Sequence, residues 1–479
     1  MGVHILSILG TSLYEPVIYH GENDNKIESD FIQCAIVNEF YSEILDGGKI
    51  TIFVTDKSHE LNWEDRKYKE NEENFAQKWV TYKKNDVKEG NCKKGLRTYL
   101  NELFPDLKDK IECVRIPDMK NEEEIWDVFN EIYNAIDIND DIVFDITHSF
   151  RSIPMLAVTV INYAKIMKEC QLKGVYYGAY EAAEVKDNKK LAPITNLTAF
   201  NEILEWTYAA DAFMTYGNVG KIKQVYSEKM KSVPREQRKE WGQIKQVIGD
   251  MDDIALGIST CRGADSMKTE SHKKSGGNSV KQAYQKLKKD IEKTAQVKGK
   301  EIVPMTNLLE HVTESFKSFD KQKDYEIGCE IIKWCIKNHM IQQGYTSLEE
   351  TIKTYVCELY ELDDVKRENR ESLVSLIFTG FEKQPVKERG ALFEKLITED
   401  EVFSNVYENK FDEEQKTIAE KIIKELPDEL FELVSQVKKF RNDINHMGFN
   451  DSPRDSKRLE GKLEDFYNKF ENIINTFNL

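Results

Sequence analysis

Arg441, Asn442 and His446 are the residues of this chain best suited to chemistry on a phosphodiester, and they lie together in Phe440-Arg441-Asn442-Asp443-Ile444-Asn445-His446. Five residues span about one and a half helical turns, so at or near a helix end the arginine and histidine can converge on one patch. Arginine offers a permanently charged fork for phosphate oxygens, and histidine gives or takes a proton near neutral pH. Those are two of the groups that an RNA-cleaving site needs. The same pair also arises on many solvated helix faces, so its meaning depends on its setting.

Two further clusters follow apolar runs. Gly10-Thr11-Ser12 comes directly after Val3-Leu9, and Thr147-His148-Ser149-Phe150-Arg151 comes directly after Asp141-Ile146. Hydroxyls, an imidazole, a guanidinium and backbone amides where strands run into helices make a natural anion or nucleotide site. Plainer readings also fit. Gly-Thr-Ser is often only a turn with a helix cap, and Thr147 or Ser149 can cap a helix starting near Ser152-Ile153-Pro154.

The elements that must hold these residues alternate at first and then become uniform. Val3-Leu9, Lys49-Thr55, Ile111-Ile116, Asp141-Ile146 and Gly174-Tyr180 are apolar, β-branched runs that predict strands buried on both faces. Helical patterns lie between them at 29–46, 64–82, 91–103, 121–137 and 151–170. This alternation predicts a Rossmann-like α/β domain with a parallel sheet over 1–190, whose ligand site lies beyond the carboxyl ends of the strands. From about 196 the strand signal disappears. A helical linker region is expected over 191–300, with an exposed Gly, Ser and Lys-rich insertion near 262–279 and a Lys-rich helix over about 280–298. An all-α domain is expected over 301–479, with Gly344-Tyr345-Thr346-Ser347 breaking two of its helices.

With 479 residues the chain is long enough for several domains, and its net charge of -17 argues against coating nucleic acid through a broad basic surface. Eight scattered cysteines without a CxxC pair, an N-terminus lacking signal-peptide features and no bilayer-length apolar run predict a reduced, cytoplasmic protein with no membrane partner. The remaining histidines show no ligand spacing such as HExxH, so no metal site is expected.

An α/β domain opening with ILGTS, carrying FDITHSFRS after a later strand and joined to a helical domain with RNDINH resembles the CARF-HEPN ancillary ribonucleases of type III CRISPR systems, in particular the DxTHG subfamily. The resemblance spans essentially the whole chain. It implies that the α/β domain is a CARF sensor binding a cyclic oligoadenylate activator at Gly10, Thr11, Ser12, Thr147, His148, Ser149 and Arg151. It favours a ring of four adenylates over six and implies no cofactor. The family's glycine after Thr-His is Ser149 here, and Asp145 either orders that loop or touches the ligand. The HEPN domain is implied to cleave single-stranded RNA without a metal, leaving a 2',3'-cyclic phosphate and a 5'-hydroxyl. His446 then acts as general acid or base, Arg441 stabilises the transition state, and Asn442 positions phosphate or histidine. The site is composite, so a homodimer or a higher oligomer of dimers is implied. The alternative is a non-enzymatic nucleotide-sensing protein that uses HEPN only for dimerisation. A further possibility is that the sensor domain degrades its own ligand through Thr11, Ser12 or His148.

Overall fold

The computed structural model describes residues 2–21, 26–67, 92–148, 153–263, 279–294, 302–382, 384–398 and 413–477. The chain divides into two compact units, Met1–Glu202 and Ile203–Leu479.

In the first unit the strands are β1 (Val3–Leu9), β2 (Val17–His20), β3 (Lys26–Ser29), β4 (Lys49–Val54), β5 (Arg66–Lys67), β6 (Cys92–Lys93), β7 (Ile111–Arg115), β8 (Asp141–Asp145), β9 (Gln171–Gly178), β10 (Glu184–Lys186) and β11 (Lys189–Asn196). The main helices are α1 (Ile32–Glu39), α2 (Leu96–Leu103), α3 (Glu122–Ala135) and α4 (Ile153–Met167). The main sheet runs β3-β2-β11-β9-β8-β1-β4-β7, and β10 pairs with β11. The five strands expected from the apolar runs form its parallel part, with β1 between β4 and β8.

Every residue of β1 is buried. Alternate side chains serve opposite layers: Ile5 packs in one core with Ile36 of α1 and Leu100 of α2, whereas Leu6 and Ile8 pack in another with Val128 of α3 and Val160 of α4.

The sheet is mixed rather than wholly parallel. Beyond β9 lies β11, antiparallel to it; β2 is parallel to β11, and β3 is antiparallel to β2. These edge strands are short or polar, and all three residues of β10 are exposed, so they leave little hydrophobic periodicity to read. The helix expected over 64–82 is also corrected: Arg66 and Lys67 pair with Lys93 and Cys92 as a two-stranded ribbon, and 68–91 lie outside the described residues.

The second unit is helical among its described residues: α5 (Thr198–Tyr216, which begins before the unit boundary), α6 (Gly220–Ser232), α7 (Arg238–Ser259), α8 (Val280–Thr294), α9 (Val303–Glu314), α10 (Asp324–Lys337), α11 (Ile341–Leu359), α12 (Val386–Thr398), α13 (Glu413–Glu425), α14 (Asp428–Asn445) and α15 (Ser456–Phe477). One core gathers Trp206, Phe213, Trp241 and Phe316; a second gathers Tyr345, Ile352, Phe431, Phe440 and Phe466. The expected break at Gly344–Ser347 is overturned, because α11 runs through it. The chain turns earlier, at His339, whose φ of 54° is left-handed. Gly344 instead admits α15: a Cβ there would lie 2.4 Å from Leu463 Cδ2. The insertion near 262–279 falls almost wholly outside the described residues. No described helix is long and apolar enough to cross a membrane.

Candidate functional site

Strand order reverses at β1, since β4 lies on one side and β8 on the other, and open α/β sheets hold ligands beyond the carboxyl ends of the strands at such a point. The loops after β1 and β8 meet there around a cavity of about 430 Å³. Gly10, Thr11, Ser12, Thr147 and His148 all line it. Ser149 and Arg151 lie outside the described residues. Tyr14, Glu15, Asp30, Thr55, Tyr177 and Glu181 also line the cavity. Glu15, Tyr177 and Glu181 belong to no motif, and only the folded sheet gathers them.

The loop after β1 is held by its backbone. Asn62, fully buried, donates from Nδ2 to the carbonyls of Gly10 (2.9 Å) and Ser12 (2.8 Å), and its Oδ1 accepts from Lys93 Nζ at 3.2 Å. Burial lowers the Lys93 ammonium to about 8. Gly10 is required by close approach, because a Cβ would lie 2.5 Å from the Tyr14 hydroxyl.

The loop after β8 is built on Asp145. Its Oδ1 accepts from the Thr147 amide (2.9 Å) and hydroxyl (2.6 Å), and its Oδ2 accepts from the Ser7 hydroxyl at 2.7 Å. Gln33 Nε2 donates in turn to Ser7, and the Gly178 amide donates to Thr147 Oγ1 at 2.8 Å. Asp145 is completely buried, and burial raises its pKa despite these donors. Of the two roles left open for it, the geometry is that of a loop organiser.

His148 is paired with Tyr14 at a ring-centroid distance of 4.2 Å. Its Nε2 is buried without a hydrogen-bond partner among the described residues. Burial depresses its pKa to about 4, so the ring is held neutral at physiological pH in this structure.

Residues 4–181 match the CARF domain of the CRISPR system endoribonuclease Csx1. The N-terminal unit is a CARF domain. The CRISPR-associated protein MJ1674 of Methanocaldococcus jannaschii is 26% identical over 285 residues, covering 58% of this chain and 39% of its own length. The chain thus spans about two fifths of that relative. Both matches support a CRISPR-associated CARF protein.

In the helical unit, Asn442 lies in the last turn of α14, Arg441 directly precedes that turn, and His446 caps the helix. Arg441 Nη1 pairs with Glu349 of α11 at 2.7 Å, and its Nη2 donates to Asn442 Oδ1 at 3.0 Å. Arg441 Nε is buried with no partner among the described residues. His446 is exposed beyond the helix end, and no side-chain hydrogen bond joins it to Arg441 or Asn442 among the described residues. Met447 and Gly448 turn left-handed, with φ of 53° and 71°, and the Gly448 amide donates to the Asp443 carbonyl. Buried Asp443 ties this turn to the segment that follows by accepting from the Arg454 amide at 2.9 Å and from Asn450 Nδ2. Glu349 lies far from Arg441 in the chain, and no local spacing could have exposed it.

Proposed function

We propose that this chain is an allosteric endoribonuclease of type III CRISPR defence. A cyclic oligoadenylate taken up by the CARF domain switches on RNA cleavage at Arg441, Asn442 and His446. The observation that carries this reading is one chain holding both a switch-point cavity lined by Gly10, Thr11, Ser12, Thr147 and His148 and a helix end presenting Arg441, Asn442 and His446.

Single-stranded RNA carries its own nucleophile. The 2'-oxygen attacks phosphorus while the O–P bond to the 5'-oxygen breaks; one proton leaves the 2'-hydroxyl and one is delivered to the 5'-oxygen. The products are a 2',3'-cyclic phosphate and a 5'-hydroxyl. The protein need only orient the chain, move protons and stabilise the charged phosphorane. His446, exposed to solvent, handles a proton, and Arg441 stabilises the phosphorane charge. Two copies of the α14 end facing each other would supply both proton transfers. Ligand energy drives the switch only if the messenger binds the active arrangement more tightly than the resting one.

The test is an RNA cleavage assay on the full chain with cyclic tetra-adenylate and cyclic hexa-adenylate, alongside R441A and H446A. At least one ring should stimulate cleavage, and both variants should lose it while still binding the messenger. Absence of stimulation by either ring refutes the allosteric reading, and cleavage by both variants at the unsubstituted rate refutes the catalytic one. The engagement of Arg441 by Glu349 favours a second reading, a messenger-sensing protein whose helical unit only dimerises. Messenger binding without cleavage by the unsubstituted chain would select it.

A further inference from the structure

The CARF cavity is chemically one-sided. Its described lining includes the carboxylates of Glu15, Asp30 and Glu181 and the phenols of Tyr14 and Tyr177, and no described lining residue is a lysine or arginine. Glu15 is compensated by Lys190, whose Nζ lies 2.6 Å from its Oε2. Glu181 has a different kind of partner: the Tyr177 hydroxyl donates to its Oε2 at 2.8 Å. Its own backbone amide and that phenol hold its carboxyl below the usual range, so it stays an anion, and no lysine or arginine is paired with it among the described residues. Beside it stands His148, neutral, with a buried Nε2 that has no protein partner among the described residues.

A phosphodiester entering this space would meet the Glu181 carboxylate, which has no lysine or arginine paired with it among the described residues, so like charges would repel. A nucleobase meets the opposite conditions. Adenine is uncharged and aromatic, and it presents an exocyclic amine as donor together with ring nitrogens as acceptors. A carboxylate acceptor, a neutral imidazole and nearby rings suit those features. The cavity of about 430 Å³ sits in the lower part of the range that holds drug-sized ligands, which is room for one nucleoside rather than a ring of several nucleotides.

We infer that this cavity is the nucleobase subsite of the messenger, in which Glu181 accepts a hydrogen bond from the exocyclic amine of adenine while the phosphates remain outside the cavity mouth. The inference rests on the messenger-binding reading above and adds to it the part of the ligand that enters and the residue that selects the base. Glu181 is then a specificity-determining residue.

The experiment is calorimetric titration of the full chain, unsubstituted and E181Q, with cyclic tetra- and hexa-adenylate and with the matching inosine rings, in which a carbonyl replaces the amine. The unsubstituted chain should bind the better adenylate ring at least about tenfold more tightly than its inosine counterpart, the scale of one hydrogen bond to a charged group. E181Q should lose about tenfold in adenylate affinity and discriminate less, because its amide can turn to donate to the inosine carbonyl. Equal affinity of the unsubstituted chain for adenine and inosine rings overturns the inference, as does an E181Q affinity for adenylate that is unchanged or higher; a higher affinity would mean that phosphate lies against this carboxylate. Failure of every ring to bind the unsubstituted chain overturns the messenger reading itself. Glu181 is exposed, so the variant should fold, and an unchanged thermal midpoint verifies that.

Discussion

Replacing Glu349 by alanine removes the carboxylate that meets Arg441 at 2.7 Å, and the structure sets the size of the loss. The Glu349 side chain is 7% exposed and that of Arg441 is 23% exposed, so water compensates the arginine only in part. Unit charges about 4 Å apart attract by about 4 kcal/mol at the effective dielectric of such a site, and desolvation offsets much of that. Truncating one partner still strands the other, which puts Glu349→Ala at about 3 kcal/mol, the low end for a buried pair. Arg441→Ala should cost less, because the orphaned carboxylate retains Lys353, with Nζ 3.6 Å from Oε1. The double variant should then fall short of the sum of the singles by about 2 kcal/mol. Urea unfolding of the full chain, following the loss of helix, measures all three. Effects that add to within about 0.5 kcal/mol, or an Arg441→Ala cost above that of Glu349→Ala, would refute the reasoning.

Two other predictions concern the CARF cavity. Gly10→Ala places a methyl 2.5 Å from the Tyr14 hydroxyl and 3.4 Å from His148 Cβ, so messenger affinity should fall about tenfold or more as the loop shifts; an unchanged titration contradicts this. His148 has a folded pKa near 4, below its ordinary value of 6.5, so its neutral form contributes stability that is present above about pH 6.5 and lost as pH falls toward 4. The thermal midpoint of the CARF domain should therefore drop across that window, and His148→Gln should flatten the drop; equal slopes in the two proteins would show that other groups cause it.

Much of the CARF scaffold is legible in the chain because burial on both faces of a parallel sheet demands continuous apolar runs. Val3–Leu9 and Asp141–Asp145 are such runs, and their ends locate the two loops that line the cavity. The edge strands β2, β3, β10 and β11 escape this logic. Their side chains face water or a single layer, and their pairing is set by neighbours remote in sequence. Gly344 misleads for a related reason. A glycine signals a helix break when only local backbone entropy is weighed, but here the packing of Leu463 needs its missing side chain.

The site divides along the same line. Local order in the chain is enough to put Gly10, Thr11, Ser12, Thr147 and His148 at strand ends and Arg441, Asn442 and His446 at a helix end, because strand and helix periods and their terminating residues are short-range properties. Only the tertiary structure decided that Glu181 stands in the cavity as an anion without a cation partner among the described residues, that burial makes His148 neutral, and that Glu349 holds Arg441. Charge state and salt-bridge partnership depend on which groups share a desolvated space, and the folded chain creates that space from residues far apart in sequence.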